Sequence, residues 1–165
     1  HSSRLELIEW LTEDNVNGAF GLTSIPDAIY PPGVINRTAV LELIEDRGFT
    51  AKRRNRLSYL MEMLSSRIIL APMGYGELSF RIAEGLNMGK PVLMPDIHHV
   101  QTLFPFKKDE NILYYDPFSK KELMQVFEKN EPELRAIGKK GQQTWREWSS
   151  NYDKILEASI IQFIE

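Results

Sequence analysis

The sequence predicts an α/β domain in which helices cover both faces of a parallel sheet, giving three layers. Short continuous apolar runs stand at 68–71, 91–94 and 112–115, and amphipathic helical segments separate them. These runs lack the apolar–polar alternation of a half-exposed strand, which indicates strands buried on both faces. Buried strands that alternate with helices are typical of a parallel sheet between two helical layers.

The composition is that of one ordinary globular domain. Of the 165 residues, 42% are hydrophobic and 26% are charged, a balance that allows a substantial core. The net charge of -3 argues against nucleic acid as the main partner. The chain has no cysteine, so disulfides and thiolate chemistry are excluded. We find no signal peptide and no apolar run long enough to span a membrane, and we expect a cytoplasmic protein.

The first half is predicted to be mainly helical. Its expected elements are a helix over 4–12, a short strand over 19–22, a proline-rich loop over 25–33, a helix from Asn36 or Thr38 to Gly48, and a helix over 52–64. Residues 1–3 resemble the end of an expression tag, so a single domain is expected over 4–165.

The helix predicted over 52–64 carries two features of interest. Its expected buried side consists of Leu57, Tyr59, Leu60, Met61, Met63 and Leu64. Its start carries the cations Lys52, Arg53, Arg54 and Arg56. These cations form either a solvated basic face or a positive rim for an anionic ligand. Helix stability does not explain them, because cations oppose the macrodipole at a helix N-terminus.

The second half alternates strands and helices to the end. A helix is predicted over 79–88, where Gly89 ends it, and another after Ser119, which with Glu122 forms a capping box. From Pro132 onward the pattern is helical, with interruptions expected near Gly138 and Gly141 and again around 149–151.

The turn after the first of the buried strands is the candidate binding site. In an open parallel sheet, ligands bind beyond the carboxyl ends of the strands. Here the chain reads Met-Gly-Tyr-Gly-Glu over 73–77, and Gly74 and Gly76 allow the backbone to approach a ligand closely. The free amides of the helix that follows attract a phosphate. An ordinary tight turn is the alternative.

Three polar residues at the start of that helix extend the candidate site. Ser79 can either cap the helix or donate its hydroxyl to a phosphate oxygen. Arg81 is a cation in the first turn, an unfavourable place unless an anion lies nearby, and its planar fork suits a diphosphate. Glu84 can accept two hydrogen bonds from the vicinal hydroxyls of a ribose. The alternative for Glu84 is a salt bridge to Arg81 or Lys90.

These motifs resemble the C-terminal half of GT-B glycosyltransferases, in particular the glycosyl transferases group 1 and exostosin-like domains. A Pro-x-Gly-Tyr-Gly turn leads into Ser-Phe-Arg and then Glu-x-Leu-x-x-Gly. The matching residues are Pro72, Gly74, Tyr75, Gly76, Ser79, Phe80, Arg81, Glu84, Leu86 and Gly89. The likeness continues through 103–105, 109–116 and 133–141.

The resemblance implies a Rossmann-like domain that binds a nucleoside diphosphate sugar and transfers its sugar to a hydroxyl acceptor, as in polysaccharide biosynthesis. By resemblance, Glu84 bonds the ribose, and Arg81 with the turn from Gly74 to Ser79 meets the diphosphate. The donor-binding residues that the resemblance implies are Gly74, Tyr75, Gly76, Glu77, Ser79, Phe80, Arg81 and Glu84. The loop after Pro95 would lie near the base or the sugar.

Catalysis in such enzymes also needs the N-terminal acceptor domain, which we expect to be absent from these residues, so the catalytic residues are unknown and the chain alone is expected to be weak or inactive. No obligatory metal or separate cofactor is expected. Peripheral association of a full-length protein with a membrane is compatible with the resemblance.

Two other functions remain open. The same fold could serve as a non-catalytic nucleotide-binding module for regulation or assembly. It could also belong to an enzyme for phosphorylated small molecules, such as a sugar-phosphate epimerase, for which Glu77 and Asp96 are the obvious acids.

The paired histidines and the two tryptophans have simpler interpretations. His98 and His99 form a poor metal site, because adjacent residues do not share a face, and a surface loop is the simpler interpretation. Trp145 and Trp148 are interpreted as core residues.

Overall fold

A computed structural model of the chain describes residues 2–16, 55–72 and 78–157. The strand predicted over 19–22, the loop over 25–33 and the helix that ends at Gly48 lie outside these residues.

The described elements follow the predicted alternation. They are α1 (Ser2–Glu13), α2 (Arg56–Ser65), β1 (Ile69–Leu70), α3 (Phe80–Asn87), β2 (Val92–Pro95), β3 (Leu113–Tyr115), α4 (Lys120–Glu128) and α5 (Glu131–Ser150). Residues 152–157 are also helical. The helix α1 begins at Ser2, inside the segment that resembles a tag. Of the described helices, none is long and apolar enough to cross a membrane.

The strands form a parallel sheet in the order β1-β2-β3. Ile69 pairs with Val92, and Leu93 pairs with Leu113, all in parallel register. The amide of Ala71 extends the first ladder by donating to the carbonyl of Leu93 at 2.8 Å. The predicted parallel sheet of an α/β domain is therefore confirmed.

Side chains of the strands alternate between two cores, one on each face of the sheet. The α2/α3 core contains Met63, Ile69, Ile82, Leu86, Val92, Met94 and Ile112. The α1/α4 core contains Leu7, Leu11, Leu93, Leu113, Tyr115, Leu123, Val126, Leu134 and Ile137. Because successive strand residues point to opposite faces, each short apolar run supplies both cores. This explains why the runs are continuous rather than alternating.

The helix α5 is continuous over 20 residues, so the interruption predicted near Gly138 and Gly141 is wrong. The two glycines serve a close approach instead. A Cβ atom at Gly138 would lie 2.4 Å from the carbonyl oxygen of Gly89, and one at Gly141 would lie 2.7 Å from that of Asn111. Both contacts lie just before β2 and β3, so α5 passes the amino ends of these strands. Its first half contributes to the α1/α4 core and its second half packs against the α2/α3 core. The second predicted interruption agrees with the end of α5 at Ser150.

The helix α2 differs from its prediction in where it begins. The cap is Asn55, whose side chain accepts from the amide of Ser58 at 2.8 Å. The helix therefore begins at Arg56 and not at Lys52. The other three predicted cations, Lys52, Arg53 and Arg54, lie outside the described residues.

The predicted buried side of α2 is also partly wrong. Met63 is buried, and Tyr59 and Leu60 are half-buried. The exposed fractions of Leu57, Met61 and Leu64 are 72%, 59% and 48%. Apolar residues occupy so many positions of this helix that spacing alone did not indicate which stripe meets the core.

The other helix boundaries agree well with the sequence signals. The side chain of Ser119 accepts from the amide of Glu122 at 3.3 Å, as expected of a cap for α4. Gly89 has a φ of 70°, a left-handed conformation that glycine adopts readily after a helix.

Candidate functional site at the carboxyl end of β1

The predicted site lies where β1 leads towards α3. The residues Gly74, Tyr75, Gly76 and Glu77 fall outside the described part of the chain, so their roles stay predictions. The described part of the site begins at Ser79, which precedes the first turn of α3.

The guanidinium group of Arg81 lies beside the carboxyl end of β1. Its Nη1 donates to the carbonyl oxygen of Leu70, the last residue of β1, at 3.3 Å. The side chain is exposed. A cation is thus held in the first turn of α3, where the helix dipole opposes it, and at the sheet edge where parallel α/β folds bind ligands.

The carboxylate of Glu84 lies about one helical turn further along α3. It is half-buried, and its Oε2 accepts a hydrogen bond of 2.7 Å from the hydroxyl of Tyr59. Among the described residues, no ion pair joins Glu84 to Arg81 or Lys90. The Nζ of Lys90 instead donates to the carbonyl of Ser66 at 3.0 Å. The salt bridge proposed as the alternative role of Glu84 is therefore not formed.

Tyr59 joins the two charged groups into one cluster. Partial burial raises the pKa of its hydroxyl, the hydrogen bond to Glu84 raises it further, and the nearby Arg81 opposes both effects. The guanidinium carbon of Arg81 lies 5.9 Å from the centroid of the Tyr59 ring, within the range of a cation–π contact. We call Tyr59, Arg81 and Glu84 the anchor cluster.

The apolar pattern of α2 placed Tyr59 only on the buried side of that helix and did not indicate its link to Glu84. The sequence nevertheless contains a signal that the Tyr59 hydroxyl has a hydrogen-bond partner. A tyrosine on an otherwise apolar stripe buries its ring but needs a partner for its hydroxyl. The spacing of residues could not identify that partner, because it lies on another helix, 25 positions away.

Ser79 occupies the N-cap position of α3, but its side chain makes no capping hydrogen bond. Its Oγ is buried and has no hydrogen-bond partner in the part of the chain that the structure describes. Ser79 is therefore the predicted cap residue by position, but its hydroxyl does not bond the helix, and phosphate binding by this hydroxyl stays a prediction. The next residue, Phe80, is 90% exposed, so its ring does not contribute to the core.

A second polar group lies at the carboxyl end of β2. Oδ1 of Asp96 accepts from the amide of His98 at 2.9 Å and lies 3.2 Å from Nδ1 of the same residue. Partial burial raises the pKa of Asp96, but these hydrogen bonds outweigh it and the pKa is lowered. On the neighbouring strand, burial and the charge of Asp96 raise the pKa of Tyr114 to about 12. His98 and His99 are both exposed in a turn, as predicted for a surface loop.

The described residues contain no cluster of three or more metal-ligating side chains. A cavity of about 280 Å³ is lined by residues such as Arg67, Pro91 and Arg135. It lies before β1 and β2, at the amino ends of the strands, and so at the opposite edge of the sheet from the anchor cluster.

The tryptophans of α5 are packing residues, as predicted. Trp145 and Trp148 are partly buried against the α2/α3 core. Their rings lie 5.8 and 5.7 Å from that of Phe104, and Nε1 of Trp148 donates to the carbonyl of Leu103 at 3.1 Å. They fix the loop that follows β2 onto α5.

Comparison with known proteins gives a match in fold. No protein-family model and no curated protein matches the sequence. Among solved structures, the chain is similar to sucrose-phosphate synthase from Thermosynechococcus elongatus, a GT-B glycosyltransferase, with a TM-score of 0.56 and 17% identity. The match covers 87% of this chain and 38% of the synthase chain. The chain therefore has the Rossmann-like α/β fold of part of a GT-B glycosyltransferase, as its motifs predict.

Proposed function

We propose that this chain is the donor-binding domain of a glycosyltransferase, which binds a nucleoside diphosphate sugar at the carboxyl end of β1. One observation carries the proposal. Arg81 and Glu84, which the motif resemblance singles out, both contact Tyr59, and Arg81 lies beside the carboxyl end of β1 in a fold shared with a GT-B enzyme. A second domain would contain the binding site for the hydroxyl acceptor.

Arg81 is the proposed contact to the diphosphate. Its guanidinium is exposed, and only one described hydrogen bond, to Leu70, holds it. A planar fork of donors matches phosphate oxygens in a bidentate manner. The backbone amides in the first turn of α3 also favour an anion, as at any helix N-terminus, and the helix dipole adds to this attraction. When the bond to the sugar breaks, negative charge develops on the departing diphosphate, and both features stabilise it.

Glu84 is the proposed contact to the ribose. One of its oxygens already accepts from Tyr59, while a carboxylate has acceptor positions on both oxygens. The remaining positions suit the paired hydroxyls of a ribose. Protein groups built to bond such hydroxyls discriminate strongly against analogues that lack them. The proposed role therefore predicts selectivity for ribonucleotides.

Calorimetry with UDP and GDP tests the proposal. We expect one of them to bind with a dissociation constant of roughly 1 μM to 1 mM. Arg81→Ala and Glu84→Gln should each weaken that binding by about tenfold or more, since the first removes a charged hydrogen-bond donor and the second removes the charge of the acceptor. The matched controls are Arg146→Ala and Glu128→Gln, which change exposed residues of α5 and α4. Unchanged affinity in both site variants would refute the proposed roles.

Transfer itself needs a separate measurement in a protein that also contains an acceptor domain. Release of nucleoside diphosphate that depends on an added hydroxyl acceptor would support the enzyme. Binding that is never followed by transfer, in a protein with both domains, would instead favour the non-catalytic binding module.

A further inference from the structure

We propose that Tyr59 is a positioning residue that orients Glu84 towards the ribose of the donor. The inference rests on the proposed function of the site. Tyr59 lies on α2, outside the motif that runs from Pro72 to Gly89, and the two side chains meet only because α2 and α3 pack on the same face of the sheet.

The hydrogen bond from Tyr59 to Glu84 is short, and its donor is held in place by packing. The distance from the Tyr59 hydroxyl to Oε2 of Glu84 is 2.7 Å, which suits a charge-assisted bond between a hydroxyl and a carboxylate. Tyr59 packs against the buried residues of the α2/α3 core, so its ring has little freedom. A rigid aromatic donor therefore holds one oxygen of a flexible glutamate and leaves the other oxygen for a ligand.

This arrangement affects binding through preorganisation. A free glutamate samples several rotamers and loses that freedom when a ligand arrives. Fixing the carboxylate before binding reduces this entropic cost. Because the hydroxyl donates its hydrogen bond to Glu84, its removal should weaken the contribution of the ribose hydroxyls and leave contacts to the diphosphate unchanged.

The variant Tyr59→Phe isolates the hydroxyl, since it keeps the ring and its contact with Arg81. We use UDP or GDP, whichever binds, together with the corresponding 2′,3′-dideoxy diphosphate. Wild-type protein should prefer the ribonucleotide by about tenfold or more, as expected for hydrogen bonds to a charged group. In Tyr59→Phe this preference should fall to that of Glu84→Gln, while affinity for the dideoxy compound stays the same.

The double variant provides a second readout. Tyr59→Phe combined with Glu84→Gln should bind the ribonucleotide no more weakly than Glu84→Gln alone, because a positioning hydroxyl acts through Glu84. The control Tyr152→Phe, which changes a tyrosine that is 39% exposed, should keep the full preference.

The possible results distinguish failure of the proposed function from failure of the positioning role of Tyr59. If the wild type binds neither UDP nor GDP, the proposed function fails and this inference fails with it. If the wild type prefers the ribonucleotide and Tyr59→Phe keeps that preference, or loses affinity for both compounds equally, only the positioning role is refuted.

A further variant covers the case in which Tyr59→Phe does not fold. Glu84→Asp keeps the carboxylate but withdraws it from the Tyr59 hydroxyl by one methylene. It should lose the preference, and full retention of the preference would overturn the proposal.

Discussion

Replacing Gly138 with alanine tests how α5 is packed against the sheet. The new Cβ would lie 2.4 Å from the carbonyl oxygen of Gly89, 2.9 Å from the nitrogen of Pro91 and 3.0 Å from the carbonyl carbon of Lys90. All three neighbours are backbone atoms. They cannot shift easily, because Pro91 accepts from the amide of Ile69 at 2.9 Å in the sheet.

The expected change in the free energy of unfolding is the balance of two opposing contributions, helix propensity and overpacking. Alanine in a helix interior is favoured over glycine by roughly 0.5–1 kcal/mol. Overpacking of a tight site costs typically about 1–3 kcal/mol, and a clash with fixed backbone belongs at the upper end. The free energy of unfolding should therefore fall by about 2 kcal/mol, which lowers Tm by roughly 4–8 °C for a domain of this size.

Urea denaturation followed by circular dichroism measures the change. Ala136→Gly is the matched control, because Ala136 is exposed on the same helix and reports the propensity difference without a clash. It should cost about 0.5–1 kcal/mol. A Gly138→Ala variant as stable as the wild type, or more stable, would show that α5 does not approach the strands this closely.

Further predictions concern the core, the acidic group after β2 and the binding site. Leu86→Ala removes a fully buried side chain and should lower the free energy of unfolding by about 2–5 kcal/mol, whereas Leu57→Ala, at a residue 72% exposed, should stay within about 0.5 kcal/mol in the same urea titration. The pKa of Asp96 is lowered by folding from its ordinary 3.8, so its contribution to stability is complete above that value and is lost as pH falls through the lowered pKa. The difference in Tm between the wild type and Asp96→Asn should accordingly shrink in that acidic range, and a difference that instead grew there would contradict the assigned shift. In calorimetry, Arg81→Ala should weaken nucleoside diphosphate binding by about tenfold and equally for ribose and dideoxyribose compounds, which distinguishes it from Glu84→Gln.

Local signals in the sequence were sufficient for the fold class. Continuous apolar runs correctly indicated strands buried on both faces, because a parallel sheet between two helical layers offers no wet face on which polar residues could alternate. The caps were equally local: Ser119 bonds a backbone amide three residues away, and Gly89 takes a left-handed conformation that few other residues tolerate. Such features depend on neighbours along the chain, which the sequence displays directly.

What the tertiary structure decided are contacts between distant segments. The sequence marked Gly138 as a helix breaker, but the helix continues, and the missing side chain makes room for the backbone before β2. It marked Leu57 and Tyr59 as members of one buried side, yet only Tyr59 turns towards the core and bonds Glu84. Composition and periodicity describe a helix by itself. Which of its faces is buried, and which side chain meets a carboxylate 25 positions away, depends on how the helices pack across the sheet.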